Sequence, residues 1–203
     1  MTGVHPIEVE SYRRLGQRVD LSGWPPGPRA VVARVVHATA DVELAATMVV
    51  DEAAVDAGVA ALRAGAPVVA DVEMVRAGMP AVAACCHLAE AVATTDLTRS
   101  AAGLRLAAER HPSGAVVVVG CAPTALVEVV RLVERGRFSP ALVVGLPVGF
   151  VGAAEAKELV RACAVPSITN VGARGGSAVA AAAVNALARL AAGDPAAPPA
   201  GRR

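Results

Sequence analysis

Arg34 and His37 are the two residues of this sequence best placed to do chemistry together. They stand three apart in a helical pattern whose apolar face carries Val32, Val35 and Val36, so guanidinium and imidazole project from the same side, one turn apart. An imidazole titrates near neutral pH and serves as a general acid or base. A cation beside it marks a seat for an anion, and a bound polyanion raises the imidazole pKa and keeps it protonated. His5, His87 and His111 have no such neighbour and read as structural. Arg13, Arg99, Arg105 and Arg174 fall near predicted element starts or corners. Several such planar forks around one cavity would suit a polycarboxylate, although solvated surface is the ordinary place for arginine. Val171–Ser177 (VGARGGS) is a glycine-rich turn opening a helix, so its backbone N–H groups could hold an anion. Close helix packing is the plainer use of such a turn. Asp71 and Glu155 have acid/base chemistry, with capping and ion pairing as the commoner roles.

The elements that must position these groups are legible from periodicity. The chain is organised around Ala115 to Glu158, where the runs Val116–Val119 and Ala141–Val144 each end in glycine. Continuous apolar runs of this kind are parallel strands buried on both faces. Pro123 fits the first turn of the crossover helix that follows, and ligands of open α/β sheets bind beyond such strand ends. Further strands are expected over Pro67–Asp71, Ala81–His87 and Val165–Asn170. Helices are expected from Pro6, from Arg29 to about Ala40, and over Asp51–Arg63, Thr98–Glu109, Gly152–Cys163 and Ala178–Ala192. Leu21–Pro28 reads as an irregular linker, its Trp24 plugging a core edge. About five strands alternating with helices give a three-layer α/β/α, doubly wound, mostly parallel sheet. One domain is expected over 1–192, with 193–203 a disordered tail.

Composition narrows the function. Aromatics are 2% of 203 residues, which disfavours base stacking, and a net charge of +1 disfavours nucleic-acid or membrane-surface binding. No apolar run suits a bilayer span or a signal peptide, so a cytoplasmic protein is expected. Cys85, Cys86, Cys121 and Cys163 show no C-x-x-C spacing, so no zinc site or redox pair is indicated. Cys85 and Cys86, adjacent in a strand, should point to opposite faces. There is neither a Walker loop nor a dinucleotide fingerprint, which disfavours a nucleotide-binding domain.

Seven stretches, in order along nearly the whole chain, carry a resemblance: HPIEVES (5–11), ARVVHAT (33–39), ALRAGAPVVADVEMV (61–75), LTRSAA (97–102), CAPTAL (121–126), LPVGFVGAAEAKE (146–158) and GGSAVAAAAVNAL (175–187). With these the sequence resembles the precorrin-8X (cobalt-precorrin-8) methylmutases of cobalamin biosynthesis. The resemblance implies an isomerase that moves a methyl group from C-11 to C-12 of a corrinoid, without a dissociable cofactor or a metal supplied by the protein. It places the catalytic acid on His37 and substrate contacts on Ser11 and Arg34. By the same reading, Arg99, Arg174 and the Gly175-Gly176-Ser177 amides help to grip the substrate carboxylates. A homodimer is implied, and product hand-off to other pathway enzymes would suit it. A corrinoid carrier without turnover is the alternative, which the intact Arg34/His37 pair disfavours. The sequence departs from the family's usual pattern at Cys121 (commonly Asn), Ala40 (commonly Gly), Ala173 (often basic) and Tyr12 (Phe).

Overall fold

A computed structural model of the chain describes residues 5–194. The Val116–Val119 run is strand β4, with all four side chains fully buried. Val116 and Val118 face one core and Val117 and Val119 the other, so the run is apolar because each face of the strand has its own layer to fill. Six strands make the sheet: β1 (Met48–Val49), β2 (Val68–Ala70), β3 (Ala84–Cys86), β4, β5 (Leu142–Gly145) and β6 (Ser167–Asn170). Their order is β1-β6-β5-β4-β2-β3, parallel throughout except for β1, which pairs antiparallel with β6.

Helices cover both faces. One layer holds α2 (Pro26–Thr39), α4 (Glu52–Arg63), α5 (Glu73–Ala77) and α9 (Ser177–Ala191), with α1 (Pro6–Arg18) packed outside on α2 and the short α3 (Leu44–Thr47) beside it. The other layer holds α6 (Arg99–Arg110), α7 (Pro123–Glu134) and α8 (Ala153–Ala162). This is the three-layer α/β/α architecture expected. Alanine allows the close approach of α2 and α9: Ala33 of the one and Ala180 and Ala183 of the other are all buried.

Several boundaries differ from the sequence reading for local reasons. Helix α2 starts at Pro26 rather than Arg29, because its prolines occupy a first turn whose N–H groups need no helical partner. Strand β3 is three residues long instead of seven; its alanine-rich flanks fail to extend it. Strand β1 and α3 were not expected, since two and four residues are too short to show a period. Asp51 and Thr98 cap α4 and α6, accepting from Ala54 and Ala101 N–H at 2.7 and 3.4 Å. Cys86 packs with one core and Cys85 with the other, as their adjacency on a strand requires. Of the expected tail, 193–203, residues 195–203 lie outside those described.

Candidate active site

His37 lies in the last turn of α2 and meets α1, which crosses over it. Ser11 Oγ is 2.9 Å from His37 Nδ1, and the Tyr12 ring stacks on the imidazole with centroids 4.6 Å apart and planes 14° off parallel. Glu8, one turn before Ser11 and Tyr12 on the same face of α1, accepts from Arg34 at 3.0 Å and from Arg189 of α9 at 2.8 Å. Helical spacing explains why Glu8, Ser11 and Tyr12 arrive together: they are three and four apart. Ser11, Arg34 and His37 are thus brought together. Glu8, Tyr12 and Arg189 join them unforeseen. The helical spacing within HPIEVESY (5–12) signals the first two, whereas nothing in the alanine-rich stretch around Arg189 signals the third.

Electrostatics follow from this packing. Burial, then the charge of Arg34, holds the His37 imidazole below its ordinary value; Glu8 opposes this and Arg189 adds to it. Burial pushes the Glu8 carboxyl up, but its hydrogen bond to Arg189 and the charges of Arg189 and Arg34 outweigh that and hold it below the usual range. Two polar atoms here are buried without a partner, Tyr12 OH and Arg34 Nε. The Arg34 nitrogen is a charged donor lacking an acceptor, an arrangement that favours an incoming anion.

The glycine-rich turn is held from below. Lys157 of α8, fully buried, donates to the carbonyls of Gly172 (2.8 Å) and Arg174, and Asn170 Nδ2 donates to the Arg174 carbonyl at 3.0 Å. Burial pushes the Lys157 ammonium down to about 8. Gly175 is obligatory: a Cβ there would lie 2.3 Å from the Leu146 carbonyl oxygen, at a φ of +157°. The Gly176 N–H donates to that same Leu146 oxygen at 2.8 Å, so this amide is committed to the fold, while Ser177 opens α9. The Arg174 guanidinium turns toward the chain beyond His37, pairing with Asp41 at 3.3 Å and Glu43 at 2.7 Å. Arg99 stands elsewhere, at the start of α6 on the opposite face of the sheet, donating to the Leu88 carbonyl at 3.4 Å. It borders an open cleft of about 560 Å³ that also takes in Thr98, Thr124 and Arg131.

The ends of β2 and β4 are bridged. Sheet order reverses between β2 and β4, the usual ligand crevice of such folds. Here Asp71, following β2, spans that gap and accepts from the N–H groups of Gly120, Cys121 and Ala122 at 3.1, 2.9 and 2.9 Å. Burial pushes its carboxyl up against the pull of those three bonds. Gly120 adopts no left-handed φ; a Cβ there would lie 2.7 Å from Val75 and 3.0 Å from Ser177 Cα. The glycine is needed for helix α9 to pack close, not for a turn. Beyond β5 the loop carries exposed Val148, Phe150 and Val151, joined to the glycine-rich turn by Gly149 N–H to the Ala173 carbonyl at 3.1 Å.

Comparison with known proteins bears on what this arrangement does. The family model described as precorrin-8X methylmutase matches residues 6–190. The chain is 42% identical over 195 residues to the precorrin-8X methylmutase of Pseudomonas aeruginosa, covering 90% of this chain and 93% of that protein. It is 37% identical over 197 residues to the cobalt-precorrin-8 methylmutase of Priestia megaterium, covering 91% and 87%. A crystal structure of the precorrin-8X methylmutase from Thermus thermophilus superposes with a TM-score of 0.83 at 38% identity, covering 92% of this chain and 96% of that one.

Proposed function

The chain belongs to the precorrin-8X methylmutase family, an intramolecular methyl-migrating isomerase family of cobalamin biosynthesis, and from that premise we propose that it moves a methyl group from C-11 to C-12 of precorrin-8X or cobalt-precorrin-8, with His37 as general acid. The observation that carries this reading is the 2.9 Å contact between Ser11 Oγ and His37 Nδ1. In the imidazolium both ring nitrogens donate. Nδ1–H goes to Ser11, which fixes the ring, and Nε2–H remains for the substrate. Protonating the conjugated macrocycle makes it electron-poor and lowers the barrier to migration; the proton returns to His37 as the product forms. No nucleophile is required. A placed acid contributes roughly 10²–10⁴-fold, and holding the ring edge against it supplies the remainder through orientation.

Without substrate, burial and Arg34 disfavour the charged imidazole. The substrate's acetate and propionate groups reverse that by matching Arg34, whose buried Nε lacks an acceptor, so substrate and proton bind together. Arg174, Ser177 and the backbone around Gly175 take further carboxylates, with Gly176 shaping the turn. Val148, Phe150 and Val151 offer an apolar wall beside them. Arg99 lies on the far face of the sheet, so its share of the grip comes from a second copy of the chain, and the functional unit is a homodimer of the 1–192 domain. Product hand-off to a later pathway enzyme would suit a buried, carboxylate-rich product.

An absorbance time course with precorrin-8X and cobalt-precorrin-8, wild type beside His37→Ala, tests this. Wild type should convert one of them with a spectral change, and the variant should bind it while losing about 10²–10⁴-fold in turnover. A static bound spectrum from both proteins would instead mark a corrinoid carrier.

A further inference from the structure

Cys85, His87 and His111 take no part in the site above, yet the fold gathers them. Cys85 is the middle residue of β3, the edge strand, and His87 follows two residues on, so both side chains leave the same face. Helix α6 covers that face, and His111 is its C-cap. One ligating atom from each of the three lies within 4.8 Å of the other two. Cys85 Sγ and His87 Nε2 are 3.7 Å apart. A tetrahedral zinc ion, with Zn–S of about 2.3 Å and Zn–N of about 2.05 Å, sets sulfur and nitrogen about 3.6 Å apart. That pair already spans one edge of such a site, and a ligating nitrogen of the partly exposed His111 lies within 4.8 Å of both.

We propose that Cys85, His87 and His111 bind a single zinc ion, leaving its fourth position to solvent. The surroundings are those of a metal-bound imidazole. Glu90 Oε1 is 2.9 Å from His87 Nδ1, and Arg110 holds that carboxylate with bonds of 2.9 and 2.6 Å. With Nδ1–H donating to Glu90, Nε2 keeps its lone pair, turned toward Cys85. Arg110 also sits 2.7 Å from His87 Nδ1. When zinc occupies Nε2, Nδ1–H donates to Glu90 Oε1 and Arg110 keeps its bond to the other carboxylate oxygen. Zinc displaces the Cys85 thiol proton, forming Zn–S and releasing H⁺. The charges near the ion are then the Cys85 thiolate and Glu90, opposed by Arg110. Soft sulfur with two imidazoles favours zinc over the hard cations magnesium and calcium. The ion would staple the edge strand to α6, on the face of the sheet away from His37, and the assignment is independent of the methyl-transfer reading.

Cobalt(II) titration of the purified full-length chain, followed by zinc displacement, tests the site in wild type, Cys85→Ser, His111→Ala and Glu90→Gln. Wild type should show intense visible bands of tetrahedral cobalt with a sulfur-to-cobalt charge-transfer band, both lost on adding zinc. Cys85→Ser should abolish the charge-transfer band. His111→Ala and Glu90→Gln should each weaken zinc binding by about tenfold or more, with unchanged metal-free circular dichroism. A wild-type cobalt spectrum without charge transfer, or one that survives in Cys85→Ser, overturns the assignment. So does zinc bound equally well by every variant.

Discussion

At the scale of single residues, His37 couples protonation to substrate binding. Its pKa in the free protein is below the ordinary histidine value, because burial and Arg34 disfavour the charged ring. Bound carboxylates favour it, so the pKa in the complex is higher. An acid must be protonated to act, hence activity falls as pH rises through the relevant pKa. kcat/KM, which reports the free enzyme, should therefore fall at lower pH than kcat, which reports the complex. Paired pH profiles check this, and coincident alkaline limbs would remove the proposed coupling. Tyr12 carries a second prediction. Its ring stacks on His37 while its buried hydroxyl has no partner. Tyr12→Phe keeps the ring and removes the unpaired group, so urea unfolding should show stability raised by about 1 kcal/mol. A lower midpoint would mean that the hydroxyl is satisfied in solution.

At the scale of elements, the end of α2 sets where His37 and Arg174 stand. Ala40 caps that helix at φ +55°, the one non-glycine residue with positive φ among those described. Alanine there costs roughly 1–2 kcal/mol against its Cβ. Ala40→Gly should accordingly raise stability by about 1 kcal/mol in a denaturant melt; no gain would show that the chain relaxes out of the left-handed region. On the opposite side of the turn, Lys157 and Asn170 hold the Arg174 carbonyl, so its guanidinium leaves from a fixed base. Asp71 does for the β4–α7 corner what a capping side chain does for a helix, satisfying three amides at once.

At the scale of the whole molecule, the groups proposed to grip one macrocycle lie on two faces of one sheet. His37 and Arg34 belong to the α2/α9 layer and Arg99 to the α6/α7 layer. In a two-fold dimer each face meets the other copy's, and one site then draws residues from both chains. Mixing inactive His37→Ala with inactive Arg99→Ala should restore activity to about a quarter of wild type, since half the dimers are mixed and each holds one intact site. No recovery on mixing and subunit exchange would place Arg99 outside the site. Among the described residues, no helix is long and apolar enough to cross a membrane.

What the sequence determined by itself was whatever is written in local pattern. The valine runs specify buried parallel strands because no other element hides apolar side chains on both sides in four residues. Asp51, Thr98 and Pro123 mark helix starts, since capping is settled within one turn. Arg34 and His37 stand together for the same reason. The tertiary structure alone decided what depends on residues distant in the chain. Glu8 meets Arg189 across 181 positions, Lys157 reaches under a turn in the next unit, and Asp71 bridges the ends of β2 and β4. The two strand-end glycines serve packing: a Cβ at Gly145 would press on Leu126 at 3.0 Å, as one at Gly120 would on Val75. Cys85 and His87 read as unrelated to His111 until α6 is laid on β3. Periodicity carries information over a turn or a pleat; which faces meet is fixed by packing the layers, and there the sequence is silent.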